Sequence, residues 1–226
     1  MIGNSRSIVD AQATPHADLA DRVARHRAAP WQRPVARHSR SAFRAIEPVV
    51  AAAGAEGRPL VLDSGCGTGE STRVLAERHP HALVLGIDKS AHRLDRAPPL
   101  PAHAQLVRAD LQDFWRLAVA AEWRPQTHYL LYPNPWPKSG HLQRRWHGHP
   151  VFPSLLALAG DLELRTNWAV YADEFSAALS LFGIRSDRDE IRAGDAAAGI
   201  SPFERKYLAS GQRCLRVRTR LDANGS

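Results

Sequence analysis

The sequence predicts an α/β domain, a mostly parallel sheet with helices on both faces. Two observations carry this. From residue 59 onward, short apolar runs alternate with helix-length segments. Acidic residues and glycines gather where those runs end, and in open parallel sheets that is where ligands bind.

The elements follow in order. Residues 1–40 hold scattered Arg, His and Pro and no strand-like run, so they are predicted as a basic N-terminal arm. Within it Pro15–Ala28 reads as a short helix with Leu19, Val23 and Ala24 as its apolar residues. The main domain is drawn over 41–226. Ser39–Ala53 reads as a helix with Phe43, Ile46, Val49 and Val50 on one face, stopped by Gly54. Pro59–Asp63 is the first strand, running into a glycine cluster, and Ser71–His79 is a helix. Ala82–Ile87 is a buried strand ending at Asp88; Ala104–Val107 is a third, ending near Asp110. Asp113–Trp123 is a helix, and His128–Tyr132 a fourth strand closed by Pro133-Asn134-Pro135. Leu162–Thr166 is a fifth strand and Trp168–Phe182 a helix. Cys214–Leu221 alternates weakly. Its arginines at 216, 218 and 220, with Arg213 before them, suit the outer face of a late edge strand, where charge blocks aggregation.

Composition narrows the class. The chain has 226 residues, enough for one sizeable core. No apolar run reaches the length of a membrane span, and Met1–Gln12 lacks the apolar stretch of a signal peptide, so a cytoplasmic location is expected. Cys66 and Cys214 are too few for a disulfide framework or a zinc cluster and are expected as reduced thiols. His141, His147 and His149 lie close together, but no Cys or carboxylate sits near them in sequence, so a solvated or phosphate-facing loop is expected and no metal site. Trp115, Trp123, Trp146 and Trp168 are expected to pack. The net charge of +7 and the pI of about 10.1 point to an anionic partner. Only three of the 30 basic residues are Lys. That is either codon bias or a use of planar guanidinium groups on phosphates.

Residues 60–71 read Leu-Val-Leu-Asp-Ser-Gly-Cys-Gly-Thr-Gly-Glu-Ser. Glycines at 65, 67 and 69 let the backbone turn sharply and approach a ligand. Glu70 stands where a nicotinamide fingerprint wants Gly or Ala, and no Gly-Lys-Ser/Thr is present, so dehydrogenase and P-loop readings fail. Asp63 precedes the glycines; a carboxylate there suits an ammonium group and would repel a pyrophosphate. Asp88 at the second strand end can accept from both ribose hydroxyls, and Asp110 at the third from an adenine amine. Lys89 and Leu111 adjoin them and complete the candidate cofactor set. Together these residues resemble the S-adenosylmethionine site of Rossmann-like methyltransferases.

The segment 129–171 extends the resemblance. Asn134, Pro135, Trp136, Lys138, His141, Arg144 and Arg145 follow the fourth strand; Thr166, Asn167 and Trp168 close the fifth; Ser201, Phe203 and Glu204 come later. In this order the chain resembles the tRNA (guanine-N7)-methyltransferase family over about residues 59–221. The resemblance implies a mostly parallel seven-stranded sheet, S-adenosylmethionine as cofactor and tRNA as partner. It implies Asn134, Asn167, Ser201 and Glu204 around the base, with Asn134, Asn167 and Glu204 as the catalytic set. Lys138, His141, Arg144 and Arg145 would face the RNA backbone, extended by Arg22, Arg25, Arg27, Arg33 and Arg37 of the arm. A monomer or homodimer with no obligate partner is expected.

Two positions depart from the family pattern: Asn134 and Asn167 stand where it carries Asp. A carboxylate only accepts hydrogen bonds, whereas an amide also donates. Each lost charge-assisted bond costs about 1.5–3 kcal/mol. Asn134-Pro135-Trp136 also resembles the Asn-Pro-Pro-aromatic segment of methyltransferases that act on exocyclic amines. Three alternatives therefore stand beside guanine N7: an exocyclic amine of another RNA base, a small-molecule substrate, and RNA binding without catalysis.

Overall fold

The structure, a computed structural model, describes residues 5, 12, 14–192 and 199–222. Most of the first thirteen residues of the predicted arm, and residues 223–226, lie outside the described set.

Five runs become parallel strands: β1 (Leu60–Ser64), β2 (Leu83–Asp88), β3 (Ala104–Arg108), β4 (Thr127–Leu131) and β5 (Gly160–Thr166). Every residue of β1 and β2 is buried, because helices cover both faces and leave no side for water. The period of two sorts their side chains. Leu60 and Leu62 of β1 and Leu83, Leu85 and Ile87 of β2 face one layer, while Val61 and Val84 face the other. The first layer holds α1 (Leu19–Ala28), α2 (Arg37–Ala55), α5 (Leu111–Ala120), α6 (Phe152–Leu156) and α7 (Ala169–Leu181). The second holds α3 (Glu70–Arg78), through Leu75 and Ala76. A short α4 spans Ala91–Leu94.

The order is β3-β2-β1-β4-β5-β7-β6 in one seven-stranded sheet, with β6 Asp187–Ile191 and β7 Cys214–Leu221. Strand order reverses between β1 and β4, so the chain leaves the sheet on both sides of one crevice. Loops after β1, β2, β3 and β4 all open at that end.

Three expectations change. Cys214–Leu221 is not at the edge: β7 lies between β5 and β6 and is antiparallel to both. Its arginines meet partners across the strands, Arg216 and Arg218 with Asp189 and Arg220 with Asp161. The edge is β6, whose Asp-Arg-Asp-Glu-Ile carries one apolar residue and gave no strand signal. The boundary at residue 40 also falls inside α2. Leu19 and Val23 of α1 share a buried cluster with Phe43 and Ile46 of α2, so the described part of the arm is packed onto the domain. Among the described residues, no helix is long and apolar enough to cross a membrane.

Candidate functional site

Asp63 shares the Val61 face of β1, which aims it under the first turn of α3. There Oδ2 accepts from Ser71 Oγ at 2.6 Å and Thr72 Oγ1 at 2.7 Å. Its other oxygen, Oδ1, is buried with no partner among the described residues. Burial pushes the carboxyl up to about 6, against the pull of the two hydroxyls. A buried, unmatched carboxylate oxygen is costly and fits a donor brought by a ligand.

The turn above it needs glycine. Gly65, Gly67 and Gly69 have φ of 85°, 60° and 76°, left-handed values that strain any residue with a Cβ. Asp88 at the end of β2 ties this loop down: Gly67 N donates to Oδ2 at 3.1 Å and Ser90 N to Oδ1 at 2.8 Å, with Arg93 at 3.2 Å from Oδ2. Asp110 follows β3 and has no side-chain partner among the described residues; it is the N-cap residue of α5 without a side-chain cap bond. Leu111 beside it lies 3.9 Å from where a Gly65 Cβ would sit, so it closes the loop's apolar side. Lys89 is exposed.

Next to this loop, across the β1–β4 pair that joins Ser64 to Leu130, the chain leaves β4 into 132–138. Tyr132 and Trp136 have φ of 51° and 46°, so two non-glycine residues in left-handed conformation bracket Asn134. Asn134 is exposed, and its Oδ1 faces the Trp136 amide at 3.5 Å. The outer side of the loop is cationic: the Arg144 guanidinium lies 4.7 Å over the Trp136 ring and His141 meets its edge. Lys138 and Arg144 are exposed. Two 3₁₀ turns, Ser139–Arg144 and Trp146–Gly148, form this rim.

Arg145 departs from the surface role expected for it. It is 1% exposed and points inward. Its guanidinium pairs with Glu174 and donates to Trp136 O at 3.2 and 3.1 Å and to Lys138 O at 3.4 Å. Glu174 also accepts from His147 at 2.8 Å, Gln12 Nε2 at 2.7 Å and His16 N at 3.0 Å. Burial alone would raise the Glu174 carboxyl, but His147 and Arg145 outweigh it and hold it at about 2. Burial lowers His147, which therefore acts as a neutral donor while Arg145 balances the charge. His147 is thus an interior residue. His149, half-buried against Trp31, is likewise no solvated loop residue.

Glu204 also differs from expectation. It sits in α8 (Pro202–Ala209), 1% exposed. Its oxygens accept from Arg165 Nη1 at 2.9 and 3.1 Å, Tyr132 Oη at 2.8 Å and Ile200 N at 3.1 Å. These bonds occupy the carboxylate, so it braces β4, β5 and α8 instead of facing an open pocket. Ser201 caps α8 by accepting from Glu204 N at 3.2 Å. Asn167 is half-buried and donates to Gln212 Oε1 at 2.8 Å. Phe203 stands 54% exposed on the same turn, stacked on Tyr207.

Sequence reasoning missed Glu174, Arg165, Tyr132 and His147 as members of this architecture. Glu174 left one signal, an acid among Val170, Tyr171, Phe175 and Ala178 on a buried helix face. Of the arm's arginines, Arg27 lies over the Phe182 ring and Arg33 reaches Gln112.

Against known proteins, a family model described as "Putative methyltransferase" matches residues 57–216. A tRNA (guanine-N(7)-)-methyltransferase of Syntrophotalea carbinolica is 30% identical over 166 residues, 68% of this chain and 70% of that protein. One of Leifsonia xyli is 31% identical over 129 residues, 54% of this chain and 56% of that protein. One of Treponema pallidum is 32% identical over 123 residues, 50% of this chain and 48% of that protein, so the match spans about half of these last two relatives. Among solved structures, the 16S rRNA methyltransferase KamB superposes with a TM-score of 0.58 at 16% identity, over 78% of this chain and 94% of that one. A 16S rRNA (adenine(1408)-N(1))-methyltransferase of Catenulisporales acidiphilia, solved with its cosubstrate SAM, gives 0.57 at 20%, over 78% and 92%. At these identities the two structures speak to fold alone.

Proposed function

The chain belongs to the methyltransferase family whose model it matches over residues 57–216, and from that premise we propose that it methylates N7 of a guanine in tRNA. The observation that carries the reading is adjacency. The glycine loop leaves β1 and the Asn134 loop leaves β4, two hydrogen-bonded neighbours, so donor and acceptor sites share one crevice.

The residues present fit S-adenosylmethionine. Asp63, whose buried Oδ1 has no partner among the described residues, would take the ammonium group; Gly65, Gly67 and Gly69 would let a ligand approach the backbone; Asp88 and Lys89 would hold the ribose side; Asp110 and Leu111 would hold the adenine. When bound, the cofactor supplies an electrophilic methyl on a sulfonium. Guanine N7 is already an unprotonated lone pair, so the chain need not supply a general base. Its task is to hold the base in line and keep water out. Asn134 can accept one N–H of guanine and donate to O6, an arrangement open to an amide and closed to a carboxylate. Asn167, fixed by Gln212, lies at the end of the next strand. Glu204 and Arg165 brace this wall. Lys138, His141 and Arg144 take RNA phosphates, and exposed Phe203 lines the far rim. The protein acts in the cytoplasm, as a monomer or homodimer and without an obligate second subunit.

Nucleoside mass spectrometry tests this. Purified protein and S-adenosylmethionine are incubated with tRNA from a strain lacking the gene. N7-methylguanosine is the expected product. A methylated exocyclic amine would move the assignment to the Asn-Pro-aromatic reading, and tRNA binding without any new methyl group would leave an RNA-binding protein.

A further inference from the structure

Glu70 has no part in the reading above. It is the first residue of α3, directly after the glycine loop. Its carboxylate pairs with Arg205 of α8, the two side chains being 32% and 36% exposed. Arg205 Nη1 also donates to Gly199 O at 3.1 Å, while the neighbouring Glu204 accepts from Ile200 N at 3.1 Å. Two consecutive side chains thus grip the entry to α8 and pull in opposite senses. Glu204 reaches in to Tyr132 and Arg165, at the ends of β4 and β5. Arg205 reaches out to the cofactor loop's own helix. The two helices are anchored in different apolar clusters, α3 by Leu75 and Ala76 and α8 by Leu208.

We propose that Glu70 and Arg205 form a positioning strap that sets the spacing between methyl donor and target base. The proposal rests on the methyl-transfer reading. From the glycine loop the path runs through Glu70 to Arg205, along the first turn of α8 to Glu204, and through Tyr132 to the Asn134 loop. An ion pair this exposed adds little to stability. In-line transfer is far more sensitive: a displacement of about 1 Å can cost on the order of 100-fold in rate. Losing the strap therefore slows transfer without loosening the fold.

A double-mutant cycle on the full chain tests it, with Glu70→Gln, Arg205→Met, the double variant and Arg205→Lys. The readouts are kcat and KM on tRNA, calorimetric affinity for S-adenosylhomocysteine, and melting temperature. Each single change is expected to lower kcat about 10-fold, with cofactor affinity and KM for S-adenosylmethionine within about twofold. The double variant should match the worse single one, and Arg205→Lys should recover most of the rate. Unchanged kcat, losses that multiply in the double variant, or losses that follow a fall in melting temperature each overturn the strap. So does a loss of cofactor affinity in place of rate, which would make Glu70 a binding residue. A wild-type protein that binds cofactor and transfers nothing overturns the methyl-transfer reading, and the strap with it.

Discussion

Asp63 is a buried carboxylate with one oxygen unmatched among the described residues, and its chemistry follows from that. Raised to about 6, it holds a proton where free Asp would not. An ammonium ligand needs it ionised. Cofactor affinity should therefore fall by about tenfold per pH unit below 6 and level off above it. Asp63→Asn should flatten that profile and, at pH 7.5, weaken binding by about 10- to 100-fold; calorimetric titrations of both proteins across pH 5–8 check this. Arg145 makes a second contrast at this scale. Beside Arg144 in a basic run, nothing local marks it as interior, because its partner Glu174 lies 29 residues on. Arg145→Met strands a buried carboxylate and should cost about 3–5 kcal/mol. Lys138→Ala, at an exposed cation, should leave urea stability unchanged and raise KM for tRNA. If both variants behave alike, the inward role of Arg145 is wrong.

Among the elements, the central strands were legible because burial on both faces writes a continuous apolar run, as in Leu60–Leu62 and Leu83–Leu85. The glycine turn was legible for a similar reason, since few backbones other than glycine tolerate those angles. β6 and β7 were not. A run such as Asp-Arg-Asp-Glu looks like any solvated loop until Arg216 stands opposite Asp189 and Arg218 opposite Asp187. The base-side residues were half legible: chain order marked Ser201 and Glu204, but only packing shows that both are spent holding α8. Ser201→Ala should therefore cost about 1 kcal/mol in urea denaturation as a lost cap, with Ser201→Thr close to wild type. A large fall in kcat without loss of stability would instead put the hydroxyl on the substrate.

The whole molecule titrates through its interior. Burial lowers His128, bound to Ser64 at 2.7 Å, to about 3, and lowers half-buried His149 to about 4. Both stay neutral in the fold and take up protons on unfolding, so their contribution is present above about 6.5 and is lost as pH falls. Asp63 works the other way between about 4 and 6, since the fold keeps its proton after the unfolded chain has released it. His147, also lowered by burial, joins His128 and His149, so the histidines outweigh Asp63 and the fold loses stability as pH falls from 6 to 4. Urea midpoints for wild type and His128→Asn across that window check it; the variant should lose less per unit. The sheet order carries a further consequence for synthesis on the ribosome. β1 is an interior strand, yet its two neighbours arrive far apart in time, β2 soon after it and β4 only after β3 and α5 have been made. The nascent chain thus emerges with a finished cradle for the donor and a bare, apolar strand edge beside it. Until residues 127–131 close that edge, it is the place where a newly made molecule is open to pairing with the wrong neighbour.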